Sequence, residues 1–221
     1  MKSDDGTRAS RFFVNISESA STPGAFVFSF VPKGLQQVRD PRGAPSRVPR
    51  FVASVHRQNT GELIFDWGGS QDDPGPDREF MQAEIVDRLR DREAWINRVT
   101  QLVDQVERWA QDLGWATRRV DKRLDDSRIG RHHVPALLMQ EGTSRVMLEP
   151  VGSSSPGTEG VVDLYLMPAY DDIATFYYYD DHWNLQHRVA ADVANTRDGK
   201  GLPLSKDVLE RTLADLRQHA A

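Results

Sequence analysis

The sequence predicts an α+β protein: a long amphipathic helix packed on an antiparallel β-meander, with an N-terminal β-hairpin region and a C-terminal helix. Three observations predict it. From Asp77 to Leu113, apolar residues recur at steps of three and four over a span too long for a strand. Beyond Gly114, short runs rich in β-branched and aromatic residues follow one another, some separated only by a tight turn. Finally, Ser205 precedes a run in which Leu209, Leu213 and Leu216 share one helical face.

The elements follow in order. Arg11–Ile16 and Ala25–Val31 are apolar runs bounded by Ser, Thr, Pro and Gly, and they read as strands. Pro32–Pro49 combines proline, glycine and basic residues and reads as an exposed loop. Phe51–Val55 and Leu63–Trp67 alternate apolar with other residues around Gln58-Asn59-Thr60-Gly61, which predicts a hairpin. Gly68–Pro76 is a linker of Gly, Asp and Pro. In the long helix the stripe runs through Ile96, Val99, Val103, Val106, Ala110 and Leu113, with Arg90-Asp91-Arg92-Glu93 as a place where it could bend. Gly114 is placed to cap it, because glycine takes a left-handed backbone without a steric penalty.

The meander strands are Thr117–Leu124, His133–Gln140, Arg145–Val151, Gly160–Met167, Ala174–Tyr179 and Trp183–Arg188. Turns as short as Asp180-Asp181-His182 force antiparallel neighbours, since parallel strands need a long crossover. The last helix runs from Lys206 to about Gln218. Ser205 is its N-cap, and Leu204 with Leu209 has the spacing of a hydrophobic staple. Two regions result: residues 1–69, a β-strand subdomain or an extension of the main sheet, and residues 77–221, the helix, sheet and closing helix. This order resembles helix-first chaperone-like folds that bind other proteins, such as secretion chaperones, and more loosely the cystatin-like sheet wrapped on a helix. The resemblance is one of topology.

Composition narrows the function classes. The 221 residues carry a formal charge of -5, which argues against a protein built to coat nucleic acid. The charge alternates along the chain. Residues 1–57 hold nine Lys/Arg against four Asp/Glu and residues 117–145 seven against four, whereas 58–116 hold six against thirteen and 146–221 six against twelve. Without cysteine there is no disulfide, no thiol nucleophile and no thiolate zinc site, which suits a reducing cytoplasm. The first residues contain no apolar stretch of the signal-peptide kind, and no run is long enough to span a membrane. The expected location is cytoplasmic, with no membrane partner.

Catalytic motifs are sparse. Asp198-Gly199-Lys200-Gly201 lacks the spacing of a phosphate loop and reads as a flexible connection. Ser153, Ser154 and Ser155 lie in a loop with no nucleophile elbow. His132 and His133 point to opposite faces of a strand, as do His182 and His187, so no metal site is expected. The acid pairs Asp171-Asp172 and Asp180-Asp181 read as solvated turn residues.

Glu149 and Asp163 are the carboxylates that stand out, because each interrupts an apolar strand. An acid there must be exposed, paired or bound to something. Lys122, Arg123 and Arg145 are the candidate partners. Strand carboxylates after a helix resemble the PD-(D/E)xK nuclease core, which would imply a divalent cation such as Mg²⁺. That core places a lysine two residues after its second acid, whereas Val151 and Tyr165 occupy those positions here. A divergent metal-dependent nuclease would therefore use Glu149 and Asp163 with Lys122 brought in from another strand.

Aromatics supply the other candidate. Phe176-Tyr177-Tyr178-Tyr179 and Trp183 form a strand pair with rings on both faces, one for the core and one for a partner. The leading expectation is a non-catalytic binding or accessory protein that contacts another protein, or itself, through Tyr177, Tyr179 and Trp183, with no cofactor. The nuclease is the alternative. Nucleic-acid binding through Arg39, Arg42, Arg47 and Arg50 and through Arg118, Arg119, Lys122 and Arg123 is a further one. The leading reading takes the strand acids as scattered and not convergent, whereas the nuclease would need Glu149 and Asp163 to meet.

Overall fold

The computed structural model describes residues 12–33, 51–68, 77–168, 171–187 and 201–218. The α+β architecture is the one expected. It contains two antiparallel sheets, one of four strands and one of seven, with a long helix and a C-terminal helix. The basic loop with Arg39, Arg42, Arg47 and Arg50, the 69–76 linker and residues 198–200 lie outside the described residues.

Contacts divide the chain into two units: residues 1–89 with 127–131, and residues 90–126 with 132–221. The first holds β1 (Phe12–Glu18), β2 (Phe26–Pro32), β3 (Phe51–Arg57) and β4 (Leu63–Gly68), in sheet order β1-β2-β3-β4. The N-terminal strands thus form a sheet of their own. Alternation sends Phe12, Val14, Phe28, Phe30, Ala53 and Val55 to one face, where they meet Met81, Ile85 and Leu89 of α1 (Arg78–Asp112). Each of these side chains larger than alanine contributes roughly 1.5–3 kcal/mol on removal from water, before entropy is counted. Gly130 presses on this unit, where a Cβ would lie 2.9 Å from the Ile16 Cβ and the backbone φ is +76°. Only glycine meets both conditions.

The second unit begins within α1. Trp95, Val99, Leu102, Val103, Val106 and Ala110 are buried there, while Ile96 and Leu113 are only partly covered, so the apolar stripe is centred slightly off the expected one. The helix ends as expected at Gly114, φ +89°, with Trp115 N bonded to Ala110 O and Gly114 N to Gln111 O. This pair of bonds is a Schellman cap.

The sheet follows: β5 (Ala116–Asp126), β6 (Gly130–Glu141), β7 (Ser144–Gly152), β8 (Val161–Leu166), β9 (Asp171–Tyr179), β10 (His182–His187) and β11 (Leu202–Pro203). Its order is β11-β10-β9-β8-β7-β6-β5, a near-continuous meander. The two-residue β11 has no counterpart among the expected strands. It docks on Asn184 and Leu185, and Gly201 before it has no room for a Cβ, which would sit 2.7 Å from the Leu185 carbonyl oxygen. The last helix, α2 (Lys206–Gln218), is capped by the Ser205 hydroxyl, which accepts from Val208 N at 3.2 Å, and buries Leu209, Leu213 and Leu216.

Register fixes the two faces of this sheet. Val146 and Leu148, Val162 and Leu164, Ala174 and Phe176, and Leu185 form the buried face. The opposite face carries Met147 and Glu149, Asp163 and Tyr165, and Thr175 and Tyr177, and all of these but Asp163 are partly exposed.

Candidate functional site

The reading of the strand acids as scattered is corrected by register. Glu149 on β7 and Asp163 on β8 are direct cross-strand partners, and Asp163 is in turn opposite Thr175 on β9. Opposed like charges destabilise a sheet unless something compensates. Compensation comes from three directions. Lys122 Nζ reaches from β5 to Glu149 Oε1 at 2.6 Å, the Tyr165 hydroxyl donates to Glu149 Oε2 at 2.7 Å, and Thr175 Oγ1 donates to Asp163 Oδ1 at 2.9 Å. Asp163 is 9% exposed.

Electrostatics follow from that geometry. Burial pushes the Glu149 carboxyl up, but the hydrogen bonds from Lys122 and Tyr165, with the Lys122 charge, outweigh it and hold the group below the usual carboxylate range. Burial first, then the bond and charge of Glu149 and the charge of Asp163, push the Tyr165 hydroxyl up to about 12. At neutral pH Glu149 is therefore a carboxylate held between Lys122 and the neutral phenol of Tyr165, with the Asp163 side chain beside it. No group of three or more His, Asp or Glu side chains placed to hold a metal ion is found among the described residues.

The β9–β10 hairpin is the second site. Its turn is the two residues Asp180 and Asp181, with φ of 51° and 60°, the left-handed pair that a type I′ turn demands. Alternation separates the three aromatics named from the sequence. Tyr177 and Tyr179 lie on the Asp163–Thr175 side. Trp183 is opposite Tyr178 on the other side, 8% exposed, with the two rings 5.2 Å apart and T-shaped. A Cβ on Gly160 would approach Trp95 to 2.7 Å and Trp183 to 3.2 Å, so both indoles lie against that glycine. The Tyr179 hydroxyl is buried without a hydrogen-bond partner among the described residues.

Beside Tyr178 and Trp183 a cavity of about 300 Å³ opens, lined by α1 through Arg98, Gln101 and Gln105, by Leu204, and by Asp181 and His182 of the hairpin. The Arg98 guanidinium lies over the Tyr178 ring, 4.4 Å from its centroid, and ends on Glu159 at 2.6 Å. His182 Nδ1 is 2.6 Å from the Asp180 carbonyl oxygen, to which it donates. Sequence reasoning named the hairpin but missed this cavity. Arg98, Gln101 and Gln105 recur on one helical face, yet their meeting with a strand eighty residues on depends on packing.

The basic residues divide. Arg119 is held by Glu107 and by Asp104 at 2.8 Å, and its hydrogen bond to Glu107 raises its pKa further. Lys122 is engaged by Glu149. Arg118 and Arg123 are exposed. The two adjacent histidines face opposite ways as expected. His132 is buried and accepts from Trp95 Nε1 at 2.9 Å, while His133 is exposed beside Asp121.

No family model, curated protein or solved structure matches the chain. Function must therefore be argued from the side chains themselves. Among the described residues, no helix is long and apolar enough to cross a membrane.

Proposed function

We propose that the protein is a non-catalytic binding or accessory protein whose second unit engages another protein through the sheet and its aromatic hairpin. One observation supports this above the others. The sheet buries Val146, Leu148, Val162, Leu164, Ala174 and Phe176 on one face, while the other carries the partly exposed Met147, Tyr165, Tyr177 and Tyr179 around the Glu149–Lys122 ion pair. Tyrosines offer large contact area at low entropic cost, and they are enriched at protein interfaces. A reducing, cytoplasmic setting suits a chain with no cysteine.

The test is a photo-crosslinking residue at Tyr177 in the native host, with the same residue at exposed Glu210 as control. One or a few species captured at Tyr177 and not at Glu210 is the expected result. A strictly monomeric protein with identical patterns at both positions would end this reading.

A second reading has a specific observation in its favour, the opposition of Glu149 and Asp163 with an ammonium 2.6 Å from the first. It is a metal-dependent nuclease or phosphodiesterase using Mg²⁺ or Mn²⁺. Incubation with single- and double-stranded nucleic acid and either metal decides it. Cleavage lost in both Glu149→Ala and Asp163→Ala would favour it over protein binding.

A further inference from the structure

The cavity beside the hairpin has a chemistry of its own. Its floor is Leu102, Trp183 and Leu204, all largely covered, and its rim is Gln101, Gln105, Asp181 and His182. The other charges nearby are spoken for. Arg98 is paired with Glu159, and Lys206, two residues beyond Leu204, with Asp112 at 2.9 Å. Asp181 is exposed and forms no ion pair among the described residues, so the rim carries one uncompensated negative charge.

Two glutamines one helical turn apart add amide oxygens that accept hydrogen bonds from a cation. The chain also contains one example of the complementary partner. Arg98 lays its side chain over Tyr178 and ends on a carboxylate, a basic group stacked on an aromatic ring with its charge met by an acid.

We propose that this cavity takes a lysine or arginine side chain from a partner protein, the stem lying on Trp183, Leu102 and Leu204 and the cation meeting Asp181 and the glutamine carbonyls. Long basic side chains bury apolar stems while keeping the head near water, which suits a cavity with an apolar floor and a wet, acidic rim. The inference rests on the protein-binding reading and names the kind of residue that reading requires.

The experiment uses the full chain and three uncharged-background nonapeptides with a central lysine, arginine or norleucine, followed by amide chemical shifts. The lysine and arginine peptides are expected to shift Gln101, Gln105, Asp181 and Trp183, with norleucine about threefold weaker or more, the range of one exposed charge pair. Asp181→Asn, which keeps a residue tolerant of the left-handed turn, should weaken lysine binding by about threefold. Gln101→Lys at its exposed helical position should abolish it.

Equal binding of norleucine and lysine, no shifts at these residues at millimolar peptide, or wild-type affinity in both variants would overturn the inference. Each failure is separable from that of the protein-binding reading. A partner captured at Tyr177 with a silent cavity leaves the reading standing, and a basic-selective cavity with nothing captured at Tyr177 removes the sheet face alone.

Discussion

Glu149 and Asp163 stand opposite each other on adjacent antiparallel strands, and Lys122 bonds to the first of them from β5, two positions away in the sheet. Two like charges in register are tolerated because Lys122 and Tyr165 take the two oxygens of Glu149 and Thr175 bonds Asp163. Lys122→Met removes the cation and keeps the stem. It should cost about 1 kcal/mol, since the pair is only partly covered.

The pH dependence follows in sign. Glu149 has a lowered folded pKa, so its contribution is present above the usual carboxylate value and is lost as pH falls through the lowered one. In Lys122→Met that value rises toward the ordinary one, so the part of the acid-range loss that Glu149 contributes should shrink. Urea unfolding across the acid range measures both curves, and superimposable curves would contradict the argument.

Tyr165 supplies the alkaline counterpart. Its hydroxyl is pushed up to about 12, so the stability it contributes is complete below the ordinary tyrosine value and is lost as pH rises through about 12. Ultraviolet titration of the folded protein should show a late-ionising component that Tyr165→Phe removes. If the late component persists in the variant, the assignment to Tyr165 is wrong.

Much of the fold was legible because its signals are local. Val162 and Leu164 alternate with Asp163, and Ser205 with Leu209, Leu213 and Leu216 delimits the last helix to within a residue. The site was less legible because it depends on distant segments. Which residue opposes Glu149 is decided by strand register, which shifts near Pro150 and Gly152, and no local pattern reports such a shift. Lys122 reaches Glu149 from a strand on the far side of β6. Trp183 reads as a surface aromatic until the two-residue turn places it opposite Tyr178. The short strand Leu202–Pro203 is too brief to carry any period.

Gly160 is predicted to be intolerant of any side chain. A methyl group there would lie 2.7 Å from the Trp95 ring and 3.2 Å from Trp183, two large buried groups with little freedom to move. Gly160→Ala should destabilise by about 1–3 kcal/mol, the usual cost of overpacking, seen as a lower urea midpoint with an unchanged slope. Wild-type stability in this variant would mean that the indoles are not packed as described.

The hairpin turn is strained by its own sequence. Asp180 and Asp181 both have positive φ, where a residue with a Cβ pays a steric cost that glycine avoids. Asp181→Gly should therefore stabilise the unit by about 0.5–1 kcal/mol, whereas Asp181→Val should destabilise it by more. Thermal unfolding checks the order Gly above Asp above Val. The glycine variant also loses the carboxylate on the cavity rim, so stability and basic-peptide affinity should move in opposite directions within one protein.

Tyr179 separates folding from binding in the same hairpin. Its hydroxyl is buried with no partner among the described residues, and a buried hydroxyl left unbonded opposes folding. Tyr179→Phe should leave stability unchanged or raise it by up to about 1 kcal/mol. The hydroxyl has no accessible surface for a partner to reach, so the variant should bind the species captured at Tyr177 as the wild type does. A marked loss of stability in Tyr179→Phe would show that the hydroxyl is already bonded within the folded chain.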